Sequence, residues 1–133
     1  MDDDDGLDAL LADLDLRLDE APYVFATARS VPAGAEPVAV VTEDEGTTLV
    51  LERSAADRLG LPYAAVAAHI TVGARSDLDL VGLTAVLSGA LAAAGLFANV
   101  IAGAFHDHLF VPYDRRHEAM AVLGRLGRPG SDA

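Results

Sequence analysis

The sequence predicts an α+β fold, an antiparallel sheet with helices packed on one face. Three observations predict it. Short β-rich runs recur at 23–28, 38–42, 47–52, 70–74, 98–104 and 109–112. Apolar stripes at helical spacing separate them, the longest being Leu80, Leu83, Thr84, Leu87, Leu91 and Ala94. Turn residues punctuate the runs, as in Glu43-Asp44-Glu45-Gly46, so neighbouring strands are expected to form hairpins.

Taken in order, Leu7, Leu10, Leu11, Leu14 and Leu18 are three or four residues apart with one step of one, which predicts a helix with Asp and Arg on its other face. Pro22 closes that pattern. Strands follow at 23–28, 38–42 and 47–52. Ser54 is a suitable N-cap and Asp57 sits three residues on, while Gly60 and Pro62 end a short helix at 55–59. Ile70, Val72 and Ala74 alternate with Thr71, Gly73 and Arg75, as in a half-buried strand. Ser76 caps the longest helix, with Asp77 and Asp79 in its first turn where they suit the helix dipole, and Gly95 ends it. Strands at 98–104 and 109–112 flank His106-Asp107-His108. Asp114 caps a last helix bearing Ala119, Val122, Leu123 and Leu126. The second half thus reads β-α-β-β-α, most of a ferredoxin-like unit. The first half is less regular.

Composition bounds what such a fold can do. The chain of 133 residues is long enough for one ordinary domain or two very small fused units, and 52% hydrophobic residues make a continuous core feasible. Aromatic residues are only 5%, with no Trp, which disfavours a base-stacking platform. Residues 1–20 carry nine acidic side chains and one Arg, against twelve acidic and eight Arg in the rest. The run Asp2-Asp3-Asp4-Asp5 is expected to be a solvated tail. No basic stripe tracks a phosphate backbone, so nucleic acid is not an expected partner. Lys is absent, a bias of the kind a GC-rich bacterial genome produces.

Cys is also absent, which removes disulfides and thiolate chemistry and fits a reducing, cytoplasmic location. The acidic start lacks the apolar run of a signal peptide. The apolar stretch 80–101 contains Ser88, Asn99 and several Gly, and reads as a helix followed by a strand, not as a membrane span.

His106-Asp107-His108 is the densest polar cluster. Imidazole and carboxylate are metal ligands. On a strand, however, His106 and His108 share a face with Asp107 opposite, and further ligands would have to come from His69 or His117. No metal and no cofactor is expected. No catalytic residue is assigned either, because a GxSxG motif, a Cys and a P-loop are all lacking. Asp107 is either a turn residue bonding nearby N–H groups or an acid for a ligand. Gly82, early in its helix, serves either close packing or the approach of a ligand to backbone N–H groups. Asn99 offers both donors and an acceptor, or makes a simple edge contact.

Several strings resemble a known family. They are Ile70-Thr71-Val72, Ser76-Asp77-Leu78-Asp79-Leu80-Val81-Gly82-Leu83-Thr84-Ala85, Ala90-Leu91-Ala92-Ala93-Ala94-Gly95-Leu96, Ala98-Asn99-Val100 and His106-Asp107-His108-Leu109-Phe110-Val111-Pro112. With Tyr23-Val24-Phe25-Ala26-Thr27 and Thr48-Leu49-Val50-Leu51, they are similar to small bacterial ACT-domain proteins of the group related to the CASTOR arginine sensors. The resemblance spans residues 20–126. It implies two tandem ACT-like subdomains, at 20–66 and 67–127, between an acidic tail with the N-terminal helix at 1–19 and a frayed tail at 128–133. It also implies an amino acid bound between ACT units and self-association as a homodimer. In the sensors an acid at the corresponding hairpin holds the ligand's cationic group, which carries over to Asp107. The polar residues the sensors place before it are replaced by Gly103 and Ala104, so arginine specificity does not carry over.

An α-amino acid needs donors for its carboxylate, an acid or acceptors for its ammonium, and a wall for its side chain. Val81, Gly82 and Leu83 are placed to supply the donors, Asp107 the acid, and Asn99 and the small residues around 98–104 the rest. The expected function is a stand-alone ACT-type regulatory protein that binds a small molecule and is not an enzyme. The alternative is a structural or interaction module with a vestigial site.

Overall fold

The computed structural model describes residues 14–73 and 81–126. Strand β1 (Asp15–Ala28) leads through an irregular loop to the hairpin of β2 (Ala39–Glu43) and β3 (Gly46–Glu52). Helix α1 (Arg53–Leu59), β4 (Tyr63–Gly73), helix α2 (Val81–Ala93), β5 (Asn99–Ala102) and β6 (Asp107–Pro112) follow. A 3-10 turn, Tyr113–Arg115, then opens helix α3 (Arg116–Arg125). The strands form one antiparallel sheet in the order β2-β3-β1-β4-β6-β5.

That order contains two overlapping ferredoxin-like units. The first is β2-β3-β1-β4 with α1; the second is β1-β4-β6-β5 with α2 and α3. Both use the central pair, β1 and β4, which at 14 and 11 residues are the longest strands described. The expected boundary between residues 66 and 67 falls inside β4, so the two units share backbone. Where the second unit has α2 between β4 and β5, the first has only the loop 29–38 between β1 and β2.

The helix expected over residues 7–18 is not what its described end forms. Leu14 precedes β1, and Leu16 and Leu18 lie in it, opposite Val72 and Ile70 of β4. A separation of four residues suits a helix face and a strand face alike. Leu16 decides between them, because Leu14, Leu16 and Leu18 alternate with Asp13, Asp15, Arg17 and Asp19 at the strand period of two. All three leucines pack under α2 and α3. The rest of that helix, with Asp2–Asp5, lies outside the described residues, as do Ser76, Asp77, Asp79 and the tail after residue 126. Pro22 does not break the strand. It sits at a register shift between Asp19 and Pro22, where a residue without an N–H is tolerated.

Other boundaries moved by a few residues. Helix α1 starts at Arg53, with Glu52 in the cap position and no side-chain cap, so Ser54 is inside the helix. Gly60 ends it at φ 69°, the left-handed conformation that glycine adopts without a steric penalty. Asp114 falls within the 3-10 turn. Arg115 donates to the carbonyls of Ala94 and Gly95 at 3.3 and 3.1 Å, satisfying the C-terminal end of α2 and tying it to α3.

All three helices cover one face of the sheet. Ala68, Ile70, Val72, Leu109 and Val111 form a core with Leu83, Leu87, Leu91, Ala119 and Leu123 of α2 and α3. Val24, Ala26, Leu49 and Leu51 do the same with Ala56 of α1. The other face carries a third cluster, Tyr23, Val50, Ala67 and Phe110 with Phe25, Ala39 and Ile101, that contains strand residues and no helix residue among those described.

Candidate ligand site

The residues named from sequence divide between the two faces. Asp107 opens β6 and pairs with Val72 of β4 and Ala102 of β5. Val72, Leu109 and Val111 all point under the helices. Strand alternation therefore places the Asp107 side chain on the helix-bearing face. It stands at the end of the sheet where β4 leaves, at Gly73, on the way to α2. Asp107 is half-buried, and among the described residues its carboxylate has no hydrogen bond or ion pair. Among the described residues, no backbone N–H donates to it. The turn is Gly103-Ala104-Phe105-His106, closed by the Gly103 N–H donating to the His106 carbonyl at 2.9 Å.

Val81 and Gly82 are the first described residues of α2. Gly82 is exposed. Leu83 is only 1% exposed, so its side chain belongs to the core and only its backbone is available to a ligand. Asn99 is not brought together with Asp107. It opens β5 opposite Phe110, three residues along the hairpin ladder from the Ala102–Asp107 pair. Its partner Phe110 lies in the cluster on the helix-free face, so Asn99 points away from α2.

The helix-free face holds a polar group that sequence reasoning missed as a unit. His69 Nε2 lies 2.9 Å from His108 Nδ1, and Thr71 Oγ1 lies 3.4 Å from the same His69 nitrogen. The His69 ring stacks on Phe110 at 4.9 Å between centroids and meets the Tyr23 ring nearly edge-on at 5.1 Å. Asp19, directly opposite His69 in the ladder, accepts from the Tyr23 hydroxyl at 2.6 Å and from the Ala21 N–H at 3.0 Å. His69 is 8% exposed, and its Nδ1 has no hydrogen-bond partner among the described residues.

Burial first, and the neighbouring His108 second, hold the His69 pKa below the ordinary imidazole value, with Asp19 opposing. Burial and the bond to Asp19 raise the Tyr23 pKa. For Asp19, burial works upward, but the bonds from Tyr23 and Ala21 leave its pKa lowered overall. The only signal for this group was the placing of His69 and Thr71 on one side of an alternating strand.

His106 joins the same face, its ring within 3.3 Å of where a side chain at Gly73 would begin. A side chain at Gly103 would begin 3.4 Å from His108 Nε2. Gly73 therefore makes room for the His106 imidazole, whereas the tightest neighbour at Gly103 is the His106 carbonyl oxygen at 3.0 Å. Among the described residues no group of three or more His, Asp or Glu is placed to hold a metal ion.

The comparisons with known proteins agree with this architecture. One ACT domain profile matches residues 5–68 and a second matches residues 64–125, overlapping in the shared strand β4. The chain belongs to the ACT-domain family. ACT domains typically bind small-molecule ligands in regulation, and two tandem copies account for both halves of the sheet. A Vibrio cholerae protein of unknown function, described as a possible transport protein, is 38% identical with a TM-score of 0.83, over 92% of this chain and 97% of that one. The ACT fold is also similar to aspartokinase alpha and beta subunits, with TM-score 0.54 and 14% identity over 84% of this chain and 95% of that one. A putative C-terminal regulatory domain of aspartate kinase from Porphyromonas gingivalis gives 0.53 and 12% over 83% and 94%. No curated protein matches the chain. No helix among the described residues is long and apolar enough to cross a membrane.

Proposed function

We propose that this ACT protein is a cytoplasmic regulatory module that binds an amino acid, and that it is not an enzyme. The observation that carries the reading is Asp107. It is a half-buried carboxylate on the helix-bearing face, without a protein partner among the described residues, at the sheet end from which the chain passes to α2. In this reading a ligand ammonium pairs with that carboxylate. Val81, Gly82 and the backbone of Leu83, at the described start of α2, are the groups this reading assigns to the ligand carboxylate. Asn99 points to the other face and reaches a ligand only as part of an edge contact between copies. The sequence carries no nucleophile motif that would favour catalysis.

The same reading includes a homodimer formed through the outer edge of β5. That strand ends the sheet, and exposed phenylalanines flank it, Phe97 at 52% and Phe105 at 88%. No charged residue lies between them.

Thermal denaturation in the presence of each free amino acid tests the ligand. A binder that ignores the unfolded chain raises stability by about 2.7 kcal/mol at a hundred times its dissociation constant. If none of them moves the melting temperature, the vestigial-site alternative, an interaction module, takes its place.

A further inference from the structure

Strand β2 stands at the opposite edge of the sheet from β5 and pairs only with β3. Its outer side presents backbone N–H and C=O groups that no described strand takes up. Two of its valines, Val40 at 44% and Val41 at 49%, and Val38 just before it at 41%, are unusually exposed for their type. Acidic residues bracket this apolar stretch, Glu36 before it and Glu43-Asp44-Glu45 after it, all exposed. Glu43 accepts from the Thr48 hydroxyl, and none of the four forms an ion pair among the described residues.

We propose that the outer edge of β2 docks an extended segment of a partner protein, one with alternating apolar residues at its centre and Lys or Arg at both ends. The segment would add a seventh strand to the sheet, with main-chain hydrogen bonds giving affinity and the flanking charges giving selectivity. The stretch from Val38 to Glu43 spans about 20 Å at strand rise, room for roughly six partner residues.

Charge selects this occupant over a second copy. If two β2 strands paired antiparallel about Val40, Asp44 of each would face Glu36 of the other. Pairing about the Val40–Val41 bond would set Glu45 against Glu36 instead. A parallel pairing would stack each acid on itself. Like charges set directly opposite are destabilising in each of these registers. Charge that merely protects an edge is most effective within the strand. Here the middle, from Val38 to Thr42, carries none and the ends carry all of it.

The test uses the intact protein and two labelled synthetic peptides, with an N-methylated form of the first as a control. One has the sequence Arg-Lys-Val-Thr-Val-Thr-Lys-Arg; the other has the same core flanked by Glu. Fluorescence anisotropy should show binding of the basic-flanked peptide alone, weakening as salt is raised. Reversing Glu43→Arg, Asp44→Arg and Glu45→Arg together should weaken it roughly tenfold or more and favour the Glu-flanked peptide. Hydrogen exchange should slow at 38–43 when the peptide is bound. A basic-flanked peptide N-methylated at its central residues should not bind, because it cannot extend the ladder. Failure of both peptides would overturn the proposal, leaving the acids as guards of the edge. Equal binding of the N-methylated peptide would also overturn it, as simple electrostatic adhesion. So would a Val41→Lys variant that loses self-association, since the edge would then belong to a second copy.

Discussion

At the scale of single residues, a charged side chain that is half-buried without a partner is spending solvation on something other than the empty fold. Among the described residues Asp107 is in that position, and its neighbours along β6 show the contrast, since Leu109 and Val111 are fully buried in the core. A charge-assisted contact with a ligand ammonium is worth about 1.5–3 kcal/mol. Asp107→Asn should therefore weaken amino-acid binding roughly ten- to a hundredfold and leave the ligand-free melting temperature almost unmoved. Calorimetric titration and denaturation of the same variant check both halves of that expectation. His69 makes the opposite kind of forecast, one about stability. Its pKa is lower in the folded protein than the ordinary value of 6.5, because the ring is buried beside His108. The unfolded chain therefore binds more protons wherever the two values differ, and stability rises with pH across that window. Acidification from about pH 7.5 through the ordinary histidine range should lower the melting temperature. In His69→Leu that acid-side slope should be shallower, which a series of melts across the range would show.

At the scale of elements, β1 is where local pattern and tertiary pairing disagree most. Leu16 is the sensitive position. On the helix expected from the leucine spacing it would lie opposite the apolar stripe, and Leu16→Asp would change stability by no more than about 0.5 kcal/mol. In the observed strand it packs against the core beneath α2 and α3. Leu16→Asp should then cost about 2–3 kcal/mol, read from urea denaturation. The second unit was legible from sequence because its punctuation is strong: Gly95 ends α2 at φ 77°, and Leu109 and Val111 alternate inward. The helices α1 and α2 and the β2–β3 hairpin were legible for the same reason. The site was legible only in part. That Asp107 belongs to a hairpin can be read from its neighbours, but the face it occupies depends on where the turn falls. A turn at Gly103–His106 puts Asp107 under the helices and sends His108 to the other side. The His69–His108 contact depends on β4 and β6 lying side by side, a pairing across 39 residues that no local period encodes. How far Asn99 stands from Asp107 is likewise a matter of ladder register.

At the scale of the whole molecule, two ACT units sharing β1 and β4 leave a sheet with two unlike edges, and the difference predicts how copies associate. The β2 edge is bracketed by acids, whereas residues 97–105, which contain β5, have no charge at all. An antiparallel pairing of two β5 strands about Ile101 would set Phe97 of each copy opposite Phe105 of the other. The contact repeats on both sides of the two-fold axis, as an isologous interface requires. Phe105 sits at the hairpin tip and is 88% exposed, an unusual position for a phenylalanine unless something covers it. With only four residues in β5, such a seam lies at the small end of specific interfaces, so the dimer should dissociate on dilution. Light scattering over a concentration series should show a dimer giving way to monomer, and Phe105→Asp should remain monomeric throughout. The substitution is at a solvent-exposed turn, so its melting temperature at low concentration should match that of the parent. Val41→Lys, at the other edge, should leave the dimer intact. A parent protein that stays monomeric at high concentration would remove the β5 interface. An amino-acid affinity that falls in Phe105→Asp would go further and place part of the ligand site on the partner copy, where the outward-facing Asn99 can reach it.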